Sequence, residues 1–297
     1  FKQKTAYEIR LSLVGSEMCI RDRALTARTA DPHILYERAV QSIPADLDFA
    51  ERIFRAHRKK SLRSLREDFC GTAALASSWV RRHPDNRAFG VDLHGPTLDW
   101  GLREHVARMT PKEQARLLLL QENVLTAATP PADLTMALNF SYSVFHDRVA
   151  LRAYFEAVHA GLNSKGLFIV DAFGGTESNI PFVETRRMSA GETVEGDPLP
   201  AFTYIWEQAE FNVVDHRLRC HIHFRFRDKS RLRRAYTYDW RFWTLPELRE
   251  VLLEAGFREV EMYLHGWTRN GESDGVFRAR TRSENAESWL AYVVGIR

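Results

Sequence analysis

Apolar and polar positions along the 297-residue chain fall into three regimes. In the first, residues 33–43 and 46–58 carry apolar side chains three and four apart, which predicts two helices. Pro44 is expected to separate them, with Asp46 capping the second. In the second regime, short apolar runs alternate with helical stretches. Strands are predicted at 62–69, 87–92, 116–121, 133–139 and 166–171, and helices at 72–82, 96–109 and 147–162. That alternation predicts a parallel sheet with crossover connections. The leucines at 117–120 and the run 166–171 read as central strands buried on both faces.

The third regime changes character. Residues 174–200 hold Gly, Ser, Asn and Pro without a period and read as a long loop or lid. Alternation returns at 202–214, 217–227 and 231–243, with turns at 214–217 and 227–230, as in an antiparallel meander. A helix over 245–255, with Pro246 in its first turn and Gly256 at its stop, precedes closing strands at 257–264 and 288–296. The pattern predicts an α/β architecture: a doubly wound, mostly parallel seven-stranded sheet with a small antiparallel β insertion. Residues 24–60 form a helical cover, 61–173 the core, 174–244 the lid and insertion, and 245–297 the end of the sheet.

Composition changes this picture little. Hydrophobic residues at 44% and charged residues at 27% are ordinary for a globular protein. No apolar run is long enough to span a bilayer. Cys19, Cys70 and Cys220 are too scattered for a disulfide framework or a zinc site, which fits a reducing cytoplasm. The net charge of +3 hints at a polyanionic partner. However, residues 1–23 carry Lys2, Lys4, Arg10, Arg21 and Arg23 against Glu8, Glu17 and Asp22, so only +1 remains beyond them. That argues against a nucleic-acid partner. Residues 11–23 resemble translated adapter sequence and make a poor signal peptide, so 1–23 are set aside as a non-native tail.

The strongest chemical signal is Leu65-Arg-Glu-Asp-Phe-Cys-Gly-Thr-Ala73, a small-residue turn between a strand and a helix N-terminus. Asp92 closes the next strand, where a carboxylate can accept hydrogen bonds from both hydroxyls of a ribose. The segment 67–73 resembles the first motif of the class I methyltransferases, acidic-x-Gly-x-Gly-x-Gly, which bind S-adenosyl-L-methionine (SAM). By that resemblance Glu67 is the acidic residue and Gly71 the second glycine. Phe69 and Ala73 stand where the other two glycines are usual. The resemblance implies a Rossmann-like methyltransferase fold. It also implies a cofactor site drawn from Tyr36, Glu67, Phe69, Cys70, Gly71, Thr72, Ala73, Asp92, Leu93, Asn123, Val124 and Asn139. A dinucleotide enzyme would want Gly-x-Gly-x-x-Gly, which is missing here; an α/β sheet without a nucleotide is the plainer alternative.

Asn139-Phe-Ser-Tyr142 follows the fourth strand, where the family places acceptor contacts, and is faintly similar to the Asn-Pro-Pro-Tyr motif of base amino methyltransferases. Its plainer reading is a turn whose aromatic rings pack the pocket. His146 is the nearest candidate base and Tyr142 a second catalytic candidate; a turn residue before the next helix is the alternative for His146. Phe140, Tyr142, Tyr204, Trp206, Tyr238 and Trp240 are the candidate acceptor contacts. The spacing of two puts Tyr204 with Trp206, and Tyr236 with Tyr238 and Trp240, on common faces. Such a face builds an apolar pocket or holds an ammonium, or is simply a strand-rich core. Cys220-His-Ile-His223 offers only two histidines on one face, so no metal is expected. The basic tip 227–234 reads as a solvated edge. Together these imply direct in-line methyl transfer to N or O of a small molecule. The alternatives are a nucleic-acid base methyltransferase, a silent SAM-binding protein, or other chemistry at the same cofactor.

Overall fold

The computed structural model describes residues 25–267 and 273–297; the expected tail at 1–23 lies outside them. Helices α1 (Pro32–Ala39) and α2 (Ile43–Arg58) open the chain. Then come β1 (Ser64–Asp68), α3 (Ala74–Arg82), β2 (Arg87–Asp92), α4 (Gly95–Glu104), the single-turn α5 (Pro111–Gln114) and β3 (Leu117–Gln121). They are followed by β4 (Ala132–Ala137), α6 (Arg148–Gly161) and β5 (Leu162–Gly174). The insertion contains β6 (Phe182–Met188), β7 (Gly191–Glu192), β8 (Pro198–Leu199), β9 (Phe202–Phe211), β10 (Arg217–Arg225) and β11 (Arg231–Arg241). Finally α7 (Leu245–Glu254), β12 (Glu259–Trp267), β13 (Ser273–Ala279) and β14 (Trp289–Ile296) complete the sheet.

The main sheet runs β13-β12-β14-β5-β4-β1-β2-β3, with β1 to β5 parallel and β14, β12 and β13 added in turn by antiparallel pairings. The chain builds outward from β1 to β3, then returns to the other side of β1 as β4. Ligands bind α/β sheets at that reversal, beyond the strand C-termini. β5 explains why the sheet holds together. Leu167 and Ile169 point into a core shared with α2 and α3, while Phe168, Val170 and Ala172 point into one shared with α6 and α7. In α6, Leu151, Tyr154, Phe155 and Val158 are buried, and Asp147 caps the helix by accepting from the Ala150 amide at 2.8 Å. A second, antiparallel sheet runs β11-β10-β9-β6.

Five expectations need correction. The leucines of β3 lie at the edge of the sheet, half-buried, with Leu118 38% exposed. Pro44 does not separate the first two helices but sits in the first turn of α2, where its missing N–H costs nothing. Asp46 does not cap α2; its carboxylate turns inward to accept the Tyr292 hydroxyl. Residues 174–200 are not a structureless lid, because β6 pairs antiparallel with β9 and β7 with β8. The sheet also carries one strand beyond the seven expected, β13, on its outer edge. Among the described residues no helix is long and apolar enough to cross a membrane.

Candidate functional site

The turn after β1 is shaped by backbone rather than side chains. Phe69, Gly71 and Ala73 have φ of +56°, +54° and +57°, so left-handed residues alternate through the segment. Two of the three lack the glycine that makes this conformation cheap, and each non-glycine costs on the order of 1 kcal/mol or more. The surroundings enforce the path. The Cys70 amide donates to the Val91 carbonyl at 3.1 Å, and the Ala73 amide to the Cys70 carbonyl at 2.8 Å. From behind, α4 presses on the turn: a Cβ on Gly101 would lie 2.0 Å from the Thr72 carbonyl oxygen. In front the turn is open, since a Cβ on Gly71 would meet only Thr97 Cγ2, at 3.8 Å.

Asp92 joins this turn to the next one. Its Oδ2 accepts the Gly71 amide at 2.7 Å and its Oδ1 the His94 amide at 2.8 Å. Leu93, beside it, is 69% exposed, an apolar side chain standing free next to the turn. Asn123 closes its own turn by accepting the Leu125 amide at 3.0 Å, and Val124 is buried against Val91. The side chains of Cys70 and Phe69 face away from the open side, Cys70 into the core and Phe69 against Phe145 and Tyr154. Only their backbone is available to a ligand.

The sheet end around the turn is rich in buried carboxylates. Glu67 accepts the Ala76 amide at 2.9 Å, in the first turn of α3. Burial, with the charges of Asp92, Asp46 and Asp68, nevertheless pushes its carboxyl up to about 8. Asp171, three residues before the end of β5, accepts the Asn139 and Phe140 amides, each at 2.9 Å. Burial pushes it up to about 7, against the pull of those two amides. Burial likewise takes Asp46 to about 6 despite the Tyr292 hydroxyl. Asp68 differs, being paired with Arg66 Nε at 2.6 Å and with the Tyr154 hydroxyl at 3.0 Å. No cation appears among the causes of the shifts at Glu67, Asp171 and Asp46, so burial holds their protons on.

The insertion faces this end with aromatic rings. Strand alternation puts Tyr204 and Trp206 of β9 on the same side as Tyr236, Tyr238 and Trp240 of β11. Tyr238 and Trp240 stack at 4.2 Å, and Trp206 lies 6.1 and 6.0 Å from them. Tyr36 of α1 approaches Tyr236 at 4.8 Å, and Arg186 of β6 covers the Tyr204 ring at 4.5 Å. Phe140 joins the face to the core, 6.1 Å from Trp240 and 4.8 Å from Phe173. Asn139 and Phe140 both have positive φ, +57° and +58°, which aims this turn at the sheet end.

No protein-family model matches the sequence, and no curated protein is similar to it. Solved structures are similar. A sugar N-methyltransferase from Streptoalloteichus shares 17% identity over 97% of this chain and 99% of its own, with a TM-score of 0.57. The SAM-bound amino pentose methyltransferase of calicheamicin biosynthesis from Micromonospora echinaspora shares 14% over 88% and 95%, at 0.60. A SAM-dependent methyltransferase from Clostridium acetobutylicum shares 16% over 87% and 95%, at 0.59. The chain has the class I methyltransferase fold.

Within that methyltransferase fold, two expected site residues fall elsewhere. Tyr142 is 2% exposed and packs in the core with Val124, Leu151 and Tyr154, so its ring reaches no acceptor. His146 Nε2 donates to the Asp239 carbonyl at 2.8 Å, and a carbonyl only accepts, so that nitrogen carries its proton. Asp239 alternates with Tyr238 and Trp240, which sets its side chain on the opposite face of β11. His221 and His223 are on that outer face too, against Thr237 and Glu207. Among the described residues no cluster could hold a metal. A groove of about 410 Å³ opens beside α7, lined by Met262, Leu264, Arg280 and Trp289 but by no residue of the turn. Sequence reasoning missed Asp171, Arg186 and Asp46. For Asp171 a signal existed, a carboxylate near the end of an otherwise apolar parallel strand; for the other two none did.

Proposed function

We propose that the protein is a SAM-dependent methyltransferase acting on a small molecule, and that the accepting atom is a nitrogen. The observation that carries this reading is the turn 69–73: it keeps the left-handed path at all three glycine positions and is tied to Asp92 through the Gly71 amide. The residues present suit the cofactor. Gly71 leaves room for close approach, Asp92 stands where it meets ribose hydroxyls, and exposed Leu93 offers apolar cover to an adenine. Burial disfavours the ionised forms of Glu67, Asp46 and Asp171, and a cationic ligand seated near them would favour those forms.

The cofactor, when bound, supplies an activated methyl group, so the protein's tasks are orientation, exclusion of water and electrostatics. The choice of nitrogen follows from the aromatic face. Its tyrosines are poor bases: burial pushes Tyr204 up to about 12 and raises Tyr36, Tyr236 and Tyr238 further. An alcohol acceptor would need a base at that face, whereas a neutral amine attacks unaided and becomes cationic as it reacts. The half-buried rings of Trp206 and Tyr238 favour that developing charge by cation–π attraction, with Trp240, 4% exposed, stacked on Tyr238 as support. The activities of the structural neighbours, on a sugar nitrogen and an amino pentose, support an aminated saccharide as the first acceptor class to try. Burial of Tyr142 counts against a flipped base, which would need that ring for stacking.

Isothermal titration of residues 24–297 with SAM and its demethylated product tests the cofactor, with Asp92→Asn beside the parent. Micromolar binding that weakens about tenfold or more in the variant is expected, since one charge-assisted hydrogen bond contributes about 1.5–3 kcal/mol. No heat from well-folded protein would overturn the reading. Turnover of amino but not hydroxy saccharides then separates nitrogen from oxygen. Binding without turnover of any acceptor points to the silent SAM-binding alternative.

A further inference from the structure

His105 is 1% exposed at the C-terminal end of α4. Its Nε2 lies 2.7 Å from Glu37 Oε1 and its Nδ1 2.8 Å from Glu195 Oε1. Carboxylate oxygens only accept, so with both glutamates ionised each ring nitrogen must carry hydrogen to bond them, which makes the ring an imidazolium. Burial by itself would lower the His105 pKa; hydrogen bonds and charge from Glu37 and then Glu195 outweigh it and hold it above the ordinary value.

The same two carboxylates reach other elements. Glu37 Oε1 accepts the Thr72 hydroxyl of the turn at 2.6 Å. Glu195 Oε1 meets Arg81 Nη1 of α3 at 2.8 Å, and Arg81 Nη2 donates to the His105 carbonyl at 2.9 Å. The Trp100 ring stands edge-on to the imidazole at 5.4 Å, and its Nε1 donates to Asp31, the cap of α1, at 2.7 Å. Arg108 Nη1 meets Asp197 at 2.8 Å, a second tie on the segment between β7 and β8. One imidazolium therefore joins the cover helix, the turn and the β7–β8 hairpin.

We propose that Glu37, His105 and Glu195 form a clasp of positioning residues that holds α1 and the β7–β8 hairpin over the turn while His105 is charged. It rests on reading 69–73 as the cofactor turn only for its consequence, control of cofactor release. Neutral imidazole has one N–H, so on losing its proton the ring serves one carboxylate and turns a lone pair toward the other. One end of the clasp then opens, while Arg81 and Arg108 keep the hairpin near.

Hydrogen exchange of the full chain without ligand, from pH 6 to 9 and corrected for intrinsic rates, tests the clasp directly. A peptide covering 31–40 is expected to lose protection about tenfold or more as pH rises, the worth of one hydrogen bond to a charged group, and 189–200, still tied by Arg81 and Arg108, to lose less. Peptides from β5, which carries Asp171, should change less than 31–40, and alike in the parent and in His105→Gln. His105→Gln, which keeps one N–H group, should show the low protection at every pH, and Glu195→Ala should free 189–200 but leave 31–40 protected. Protection that is flat with pH in the parent, or His105→Gln loosening β5 by the same factor, would overturn the clasp. A ligand arm keeps the two readings apart. SAM dissociation that quickens with pH in the parent but not in His105→Gln supports both. The expected exchange pattern in a protein that binds no SAM supports the clasp and removes the cofactor reading.

Discussion

The sheet end and the insertion build their parts of the site by opposite means. At the sheet end the backbone supplies the shape: φ stays positive at Phe69, Gly71 and Ala73, amides are spent on Asp92 and Asp171, and side chains such as Cys70 face away. On the insertion, side chains supply it, a row of rings repeated at the strand period of two on ordinary extended backbone. A surface made of backbone tolerates exchange of side chains but not one atom placed against it. A surface made of rings loses its function by fractions, one ring at a time.

The sharpest way to break this contrast is Gly101→Ala. Its methyl would lie 2.0 Å from the Thr72 carbonyl oxygen, backbone against backbone, with no flexible side chain to swing aside. Overpacking of this kind costs about 1–3 kcal/mol, and here the upper end is expected. At roughly 2–4 °C per kcal/mol the melting temperature should fall by roughly 6 °C or more. A variant melting within about 1 °C of the parent would show that α4 does not buttress the turn. Ala73→Gly should do no comparable harm, because relief of its left-handed strain offsets the added chain entropy, each about 1 kcal/mol.

The same contrast explains what could be read from the sequence. The turn and Asp92 were legible because they are local: a strand end, a small-residue turn and an acidic residue one strand later. The even spacing of Tyr204 with Trp206 and of Tyr236 with Tyr238 and Trp240 placed each group on one face correctly, since alternation is a local property of a strand. Position within the sheet is not local. The four leucines of β3 read as central, yet β3 pairs on one side only. In β6 the outer face is exposed and the inner one carries Arg186 over Tyr204, so no apolar alternation marks it. β13 was hidden in the same way by Ser273, Asp274 and Gly275. His146 was near the acceptor turn in sequence, but β11 turns it away from the rings. The Glu37–His105–Glu195 clasp spans 68 and 90 residues of separation and leaves no local trace.

Trp206→Leu addresses the other side of the comparison and should have a smaller effect. The side chain is half-buried and leucine keeps the apolar contact, so the change removes mainly the ring's attraction for a cation. That attraction is worth about 0.5–2 kcal/mol, which predicts kcat/KM for an amine acceptor lowered by roughly 2- to 30-fold, mainly through kcat. The SAM dissociation constant should not move, because Trp206 lies on the insertion and not at the turn. Steady-state kinetics with titration of both ligands checks this. An equal loss for SAM and acceptor would mean that the two regions do not divide the work.

The smallest effect expected is electrostatic, and it asks whether the sheet end differs from the insertion in charge as well as in construction. Glu67, Asp171 and Asp46 are held up to about 8, 7 and 6 by burial, so the folded chain binds their protons more tightly than the unfolded chain does. Their stabilising contribution is therefore complete below the ordinary carboxylate range and is lost as pH rises through those values. His105, also raised, adds a slope of the same sign. The melting temperature of the ligand-free protein should fall between about pH 5 and about pH 8. Glu67→Gln should flatten the upper part of that fall, while Trp206→Leu keeps the parent's slope. A cation seated against these carboxylates reverses the argument. SAM, with its sulfonium, should then raise the melting temperature more at the alkaline end of the window than at the acid end, and more than its demethylated product does. If Glu67→Gln keeps the full slope, the carboxylate is already compensated in the folded chain. The sheet end would then recognise its ligand by backbone shape alone, and selectivity for a charged cofactor would have to come from the rings.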